Sequence, residues 1–337
     1  MKIGVLLVNL GTPLSPKPKD VFRYLNEFLT DPRVIDLPFL LRQLLVRGLI
    51  VPKRYKTSAK SYSQIWTKEG SPLLMYGYAL KELLQKALGE DFLVDIAMRY
   101  QYPSLEDSLK TLKTCSLSKL IVIPLFPQYA SATTGSIYAK VFSSLSEWVN
   151  FPELIMIQEF YDHPLLIKAF AALAKEHSVD TYDHIVMSFH GLPETHLKKA
   201  DVHSHCLTCS KCCYPLQEKN KRCYSAQCYA TAKAIAQELS LSSEKFTICF
   251  QSRLGKKPWL SPFTSDVIKT LPQKGYKKIL VMCPAFICDC LETLYEIQME
   301  YQEEFKHHGG DILTLMPGLN THPLWIHTLK EIVLSRI

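Results

Sequence analysis

Six apolar runs rich in β-branched residues, at 3–10, 92–98, 119–125, 185–189, 246–250 and 279–282, recur along this chain with helical segments between them. They are too continuous for strands with one face in water. Strands buried on both faces have this composition, and they occur in parallel sheets covered by helices. The fold class is therefore α/β. Open sheets of this kind receive ligands beyond the carboxyl ends of their strands, so the residues that follow each run matter most for function.

Those residues repeat themselves. The first run exits into Leu10-Gly11-Thr12-Pro13 and the fourth into His190-Gly191-Leu192-Pro193, while later runs exit at Pro124 and Pro284. With 337 residues, 47% of them hydrophobic, the chain can fill more than one core. The expectation is two similar lobes, residues 1–165 and 166–320, with a cleft between them and a last helix in 321–337 packing back onto the first lobe.

The net charge of +7, from 39 basic and 32 acidic residues, is spread along the chain, and no nucleic-acid module is recognisable. Neither G-x-G-x-x-G after the first run nor a G-x-x-x-x-G-K-[ST] loop is present, so no nucleotide cofactor is expected. The opening Met1-Lys2-Ile3-Gly4-Val5-Leu6-Leu7-Val8 is short for a signal peptide and lacks a small-residue cleavage site, which points to the cytoplasm. The longest apolar stretch, 37–52, contains Arg42 and Arg47 and is shorter than the roughly 20 residues of a membrane span. It reads either as a buried amphipathic helix or as an apolar lip at a pocket or membrane surface.

Four constellations carry chemistry. His190 stands at the carboxyl end of a buried run before a glycine, where a neutral imidazole can accept a proton or ligate a metal, or be satisfied by a nearby carbonyl. Glu292 and Glu296, four apart, share one face if their segment is an α-helix; the pair is then either an exposed acidic face or a station for a hard cation. The segment 250–262 ends a run in Gln251-Ser252-Arg253 and holds Trp259 between Pro258 and Pro262, as a wall for a flat ligand or as a loop anchor. A hydroxyl-rich loop follows Pro124 and contains Gln128 and Tyr129. Lys53, Arg54, Lys56 and Lys60 precede Tyr62 and the Gly70-Ser71-Pro72 turn, where cations beside hydroxyls can hold carboxylates.

Six of the eleven cysteines, Cys206, Cys209, Cys212, Cys213, Cys223 and Cys228, crowd into the segment 203–228. Without a secretion signal such a cluster reads as reduced thiols or metal ligands, not as a disulfide framework. Cys206, Cys209 and Cys212 lie on one loop that Cys223 could close, with Cys213 as an alternate and Cys228 as helix-start packing.

In order and wording these segments resemble the ferrochelatases. The likeness runs through Val8-Asn9-Leu10-Gly11-Thr12-Pro13, Phe28-Leu29-Thr30-Asp31-Pro32-Arg33-Val34, Gly70-Ser71-Pro72-Leu73 and Pro127-Gln128-Tyr129. It continues through Ser188-Phe189-His190-Gly191-Leu192-Pro193, Gln251-Ser252-Arg253 to Trp259-Leu260, and Asp289-Cys290-Leu291-Glu292-Thr293-Leu294. The resemblance implies paired Rossmann-like lobes and insertion of ferrous iron, a substrate, into protoporphyrin IX to give protoheme. His190 and Glu292 would be the catalytic and metal-site residues, with Glu296 behind them on the iron route. Arg54, Tyr62, Ser71, Gln128, Tyr129 and Trp259 would touch the porphyrin, stretch 37–52 would form the pocket lip, and peripheral membrane contact would follow.

Three features depart from the family: Leu14 where some members have a tyrosine, Cys290 where animal enzymes carry a histidine, and no cysteine-bearing extension after Ile337. Some bacterial ferrochelatases carry a [2Fe–2S] cluster, which makes such a cluster, with zinc as the alternative, the expectation for Cys206, Cys209, Cys212, Cys213 and Cys223. Two other readings compete. One is a chelatase for another tetrapyrrole or metal; the other is a non-catalytic iron–sulfur or zinc-binding protein.

Overall fold

The computed structural model describes residues 1–209, 211–255 and 257–337; Ser210 of the cysteine-rich segment and Lys256 of the 250–262 segment lie outside the described residues. The chain divides into two units. The first comprises Met1–Phe126, Ala130–Gln158 and Ile326–Ile337, and the second Pro127–Tyr129 and Glu159–Trp325.

The first unit runs β1 (Lys2–Gly11), α1 (Pro18–Leu29), α2 (Phe39–Leu45), a π-helical turn (Val46–Ile50), α3 (Val51–Ile65), α4 (Pro72–Leu88), β2 (Phe92–Tyr100), α5 (Leu105–Lys113) and β3 (Leu117–Pro124). A second π turn (Ser131–Gly135), α6 (Ser136–Leu145) and β4 (Glu153–Met156) follow. The second unit runs α7 (Pro164–Glu176), β5 (His184–His190), α8 (Glu194–Ala200), α9 (Tyr224–Glu238), β6 (Phe246–Gln251), α10 (Thr264–Thr270) and β7 (Lys278–Met282). It continues with a π-helix (Glu292–Tyr301), α11 (Gln302–His307) and β8 (Ile312–Leu315). The final helix, α12 (Pro323–Leu334), begins in the second unit and contributes its residues from Ile326 onward to the first.

Each unit has a four-stranded parallel sheet, ordered β2-β1-β3-β4 in the first and β6-β5-β7-β8 in the second. The two orders are the same: second, first, third, fourth. The order reverses between the first and third strands of each sheet, and that crevice at their carboxyl ends is where such folds take ligands. The edge strands β4 and β8, four residues each and largely half-buried, escape a search for continuous apolar runs because one side of each is unpaired.

Local chemistry sets the elements. Ser104 caps α5, its hydroxyl oxygen accepting from the Asp107 N–H at 3.1 Å, and Leu105, Leu109 and Leu112 then fall on one face against the sheet with Ile137 and Val141 of α6. In the second unit Val267 and Ile268 of α10, Ile297 of the π-helix and Phe305 of α11 cover Val186, Ile279 and Val281. At the exit of β1, Gly11 has φ +125°, and a Cβ there would stand 2.1 Å from the Tyr100 carbonyl oxygen, so the turn requires glycine.

The first part of stretch 37–52, up to Leu44, is inverted relative to a buried amphipathic helix, although Val46 and Val51 are buried. Phe39, Leu40, Leu41 and Leu44 are exposed, whereas Arg42 is buried and donates from Nε to the Thr30 carbonyl at 2.8 Å and from Nη1 to the Leu37 carbonyl at 2.5 Å. The guanidinium is thus the anchor, satisfying the Thr30 carbonyl at the end of α1 and the Leu37 carbonyl before α2, and Leu40, Leu41 and Leu44 are left to solvent. Among the described residues no helix is long and apolar enough to cross a membrane.

The loop after α1 is held by a second buried group. Asp31 Oδ2 receives Arg99 Nη2 at 2.7 Å, the Tyr100 hydroxyl at 2.9 Å and the Ser136 hydroxyl at 2.6 Å, and Asp31 Oδ1 receives the Arg33 N–H at 2.7 Å. Burial opposes ionisation of Asp31, but the bonds from Ser136 and the Arg33 N–H, the Arg99 charge and the Tyr100 hydroxyl outweigh it and hold the pKa below the ordinary 3.8. A depressed pKa contributes stability that is complete above the unfolded value and is lost as pH falls through the folded one. Asp31→Asn is therefore expected to destabilise the protein by about 3 kcal/mol at neutral pH. Urea unfolding of wild type and variant should show that gap closing below pH 3.8; an unchanged gap at pH 3 would mean that the negative charge is not what holds the loop.

Candidate active site

His190 ends β5 and Glu292 follows the exit of β7, the two strands between which the order of the second sheet reverses. Strand β5 ends at the half-buried His190, and the next peptide is clamped against β6, with the Gly191 N–H donating to the Gln251 carbonyl at 2.8 Å. A Cβ at residue 191 would stand 2.8 Å from that same carbonyl oxygen and 3.3 Å from Trp259 Cε3, so only glycine permits the approach. Beyond it the Leu260 N–H donates to the Leu192 carbonyl and the Glu194 N–H to the Pro258 carbonyl, each at 3.0 Å, tying the loop that carries Trp259 to the exit of β5.

The imidazole of His190 has one nitrogen committed. Nδ1 lies 2.6 Å from the Gly191 carbonyl oxygen. A carbonyl oxygen only accepts, so Nδ1 carries the proton and, in the neutral ring, Nε2 keeps its lone pair. The satisfied histidine and the basic histidine are here the same residue: the local carbonyl fixes the tautomer that leaves Nε2 free to take a proton or a metal. The Phe286 ring, on the loop after β7, stands 6.2 Å from the imidazole and gives this side of the crevice an apolar neighbour.

Glu292 opens the helix that follows that loop, but the helix is π and not α. Its amides pair five residues back, so residues five apart approach one another, and the Tyr301 hydroxyl accordingly donates to Glu296 Oε1 at 3.0 Å. The same carboxylate also receives the Ser252 N–H on Oε1 at 2.9 Å and the Ser252 hydroxyl on Oε2 at 2.5 Å, with Gln251 Nε2 at 3.4 Å. Glu296 is thereby surrounded by protein donors. Ser252 offers both of its donors because its backbone is left-handed, with φ 64°. Gln251 is fully buried: its Oε1 receives the Ser188 hydroxyl at 2.7 Å and its Nε2 donates to the Glu292 carbonyl at 2.8 Å.

The loop before the π-helix is pinned by Asp289. Its Oδ1 receives the Thr293 hydroxyl and the Gly318 N–H, each at 3.0 Å, and its Oδ2 receives Asn320 Nδ2 at 2.7 Å. Next to it, burial and then the neighbouring Glu292 carboxylate push the Cys290 thiol well above the usual thiol range.

The residues expected to touch the porphyrin fall in both units. In the first, Arg54 is exposed on α3, Tyr62 is buried at the edge of the Tyr24 and Trp66 rings, and Ser71 is buried and accepts from the Thr12 hydroxyl at 2.9 Å. In the second, Gln128 is buried with its amide donating to Thr231 Oγ1 at 2.9 Å, while Tyr129 and Trp259 are half-buried. Sequence reasoning passes over Tyr301, Asn320 and Tyr224; each is an ordinary polar residue whose role depends on the fold around it.

The cysteine-rich segment arranges its thiols unevenly. The sulfurs of Cys212 and Cys213 are 3.6 Å apart, and the Cys213 thiol donates to the Ser225 hydroxyl oxygen at 3.2 Å. The Leu207 N–H points at Cys212 Sγ from 3.2 Å, and Asp201 fastens the loop by accepting the Cys206 N–H at 2.6 Å. Cys209 is exposed, and Cys228 is fully buried in α9. Mutual contact with Cys223, and then burial, raise the Cys213 thiol, and burial raises Cys206 and Cys212, so all three are protonated as they stand. Among the described residues, no group of three or more His, Cys, Asp or Glu is placed to hold a metal ion.

With this geometry in hand, known proteins give a family. The ferrochelatase family profile matches residues 2–337. The chain belongs to the ferrochelatase family. Ferrochelatase of Legionella pneumophila strain Philadelphia 1 is 44% identical to this family member over 334 residues, 99% of each chain. Ferrochelatase of Coxiella burnetii strain Dugway is 43% identical over 331 residues, covering 98% of this chain and 92% of that one. In structure, SirB from Bacillus subtilis, solved with Fe3+, superposes with a TM-score of 0.56 at 12% identity over 99% of this chain and 95% of its own, a likeness of fold.

For this ferrochelatase relative the donors around Glu296 make a specific prediction. Glu296→Gln replaces an acceptor oxygen by an N–H that faces donors, so stability should fall by about 1–3 kcal/mol. Ser252→Ala in the Glu296→Gln background should add less than it does in wild type. Full additivity in thermal melts would show that the two side chains do not act together.

Proposed function

We propose that this chain inserts ferrous iron into protoporphyrin IX and releases protoheme, the last step of heme synthesis, with two pyrrole N–H protons leaving as the metal enters. The observation that carries the reading is the His190 tautomer: Nδ1–H spent on the Gly191 carbonyl, Nε2 left as a base at the mouth of the β5–β7 crevice. A flat ring with two N–H groups cannot admit an in-plane metal until protons are taken from it. His190 accepts them, and Glu292, at the first position of the π-helix beyond β7, receives the dehydrating ferrous ion. Iron is here a substrate. Trp259, held by the tie between Leu260 and Leu192, offers a flat apolar wall to the macrocycle.

Glu296 acts behind Glu292. Its four protein donors keep it in place, so it tunes the field at the π-helix more than it carries the ion. The exposed Phe39, Leu40, Leu41 and Leu44 with Arg47 nearby form an apolar lip suited to a porphyrin arriving from, or leaving to, a membrane surface, in a protein of the cytoplasm.

The thiol segment suits a [2Fe–2S] cluster with Cys206, Cys212, Cys213 and Cys223 as ligands. The Cys212 and Cys213 sulfurs are 3.6 Å apart, and the Leu207 N–H is aimed at Cys212 Sγ as a donor to a bound thiolate would be. A bound cluster supplies a cross-link for the loop; metal insertion itself transfers no electron. Cys209 is the outlying thiol.

Purified protein given ferrous iron without oxygen should metallate protoporphyrin. His190→Ala should abolish turnover while leaving porphyrin binding measurable, and Glu292→Gln should raise the iron requirement more than the porphyrin KM. Activity of His190→Ala within about tenfold of wild type, roughly 1.4 kcal/mol of barrier, would remove the base assignment. The thiol assignment is checked separately. Anaerobically isolated protein should be red-brown and bleached by dithionite, Cys213→Ser should be colourless, and Cys209→Ser should keep its colour. Colourless wild type with one equivalent of zinc would overturn the iron–sulfur reading and leave the chelatase reading intact.

A further inference from the structure

The peptide between His190 and Gly191 is gripped at both of its polar ends. Its N–H is held by the Gln251 carbonyl at 2.8 Å. Its C=O accepts the hydroxyl of Tyr224 at 2.8 Å. Tyr224 is the first residue of α9, buried, and it follows Cys223 and precedes Ser225, whose hydroxyl oxygen accepts from Cys213 Sγ at 3.2 Å. Three consecutive side chains thus face two ways: the outer two belong to the thiol segment, and the middle one reaches the end of β5.

The grip reaches the ring. His190 Nδ1 bonds the carbonyl of the next peptide, that of Gly191, so any rotation of the 190–191 peptide carries that acceptor with it and turns the imidazole. Gln251 restrains one end of the peptide through a backbone bond that no side-chain change removes; the other end depends on a single phenol. A buried carbonyl that loses its donor seeks another or rotates towards water.

We propose that Tyr224 is a positioning residue that fixes the direction of the His190 imidazole by holding the 190–191 peptide. Its catalytic consequence rests on the reading of His190 as the proton acceptor; its structural content does not.

The test is Tyr224→Phe, with Ser225→Ala as a neighbour that leaves the phenol in place and His190→Ala to identify the His190 signal. In protein labelled with 13C-histidine, the ring Cε1–H resonance absent from His190→Ala should move in Tyr224→Phe and stay in Ser225→Ala. With protoporphyrin and ferrous iron, Tyr224→Phe should lose about tenfold in kcat with the porphyrin KM within about twofold, because a misdirected base slows proton transfer without altering the binding walls. The metal content of the thiol segment should match wild type. An unmoved resonance in folded Tyr224→Phe, or an equal shift in Ser225→Ala, would overturn the proposal. If the phenylalanine variant does not fold, 3-fluorotyrosine at residue 224 keeps the shape and changes only the donor strength, and the resonance must still move. Should His190→Ala retain full kcat, the base assignment fails while the resonance still decides whether Tyr224 positions the ring.

Discussion

One buried amide organises the second unit's crevice. Gln251 closes β6, and its side chain takes the Ser188 hydroxyl of β5 on one atom and gives its N–H to the Glu292 carbonyl with the other, while its backbone carbonyl receives Gly191. Three elements distant in sequence are thereby indexed to one residue. A buried amide has four hydrogen-bonding positions to satisfy, and leaving one empty is expensive, so the arrangement resists drift. The exit of β5 and the first turn of the π-helix hold their places because neither can move without unpairing this group. His190 and Glu292 are set by backbone geometry referred to Gln251, and their side chains add only the last increment of direction.

Much of this is legible in the amino-acid order alone. Runs without polar interruption require parallel strands with both faces covered, and the two parallel sheets follow. The repeated Gly11 and Gly191 exits correspond to two sheets of identical strand order, and each glycine is demanded by a carbonyl within 3 Å of where a Cβ would be. His190 stands out because a histidine that ends a buried strand, with glycine next, sits where open parallel sheets take their ligands. The family is legible because ordered motifs multiply one another's specificity.

Other parts cannot be read that way, for physical reasons. A period near four does not distinguish α from π pairing, so the sequence puts Glu292 and Glu296 on an α-helical face and gives no hint of the Tyr301 contact five residues on. Hydropathy assigns leucine to the inside and arginine to the outside; the carbonyls of Thr30 and Leu37, which reverse that at Arg42, are invisible to a pattern of side chains. Spacing ranks Cys209 with Cys206 and Cys212 and gives no sign that Cys209 is exposed or that the sulfurs of Cys212 and Cys213 lie 3.6 Å apart. Tyr224 gives no signal at all, since its partner is a backbone carbonyl 34 residues away.

The ten-residue π-helix also sets what kinds of genetic change this gene tolerates. A π segment is one that holds surplus residues relative to an α-helix over the same distance, so its identity resides in its length. Substitutions within it leave the count unchanged and are absorbed side chain by side chain. Loss of a single codon between Glu292 and Tyr301 would instead let the pairing relax to α. Later residues such as Phe305 would keep their faces, but the five-residue pairing through which Tyr301 reaches Glu296 would be lost. Drift in this stretch should therefore be rich in replacements and nearly free of insertions and deletions, a pattern opposite to that of surface loops, where length varies first.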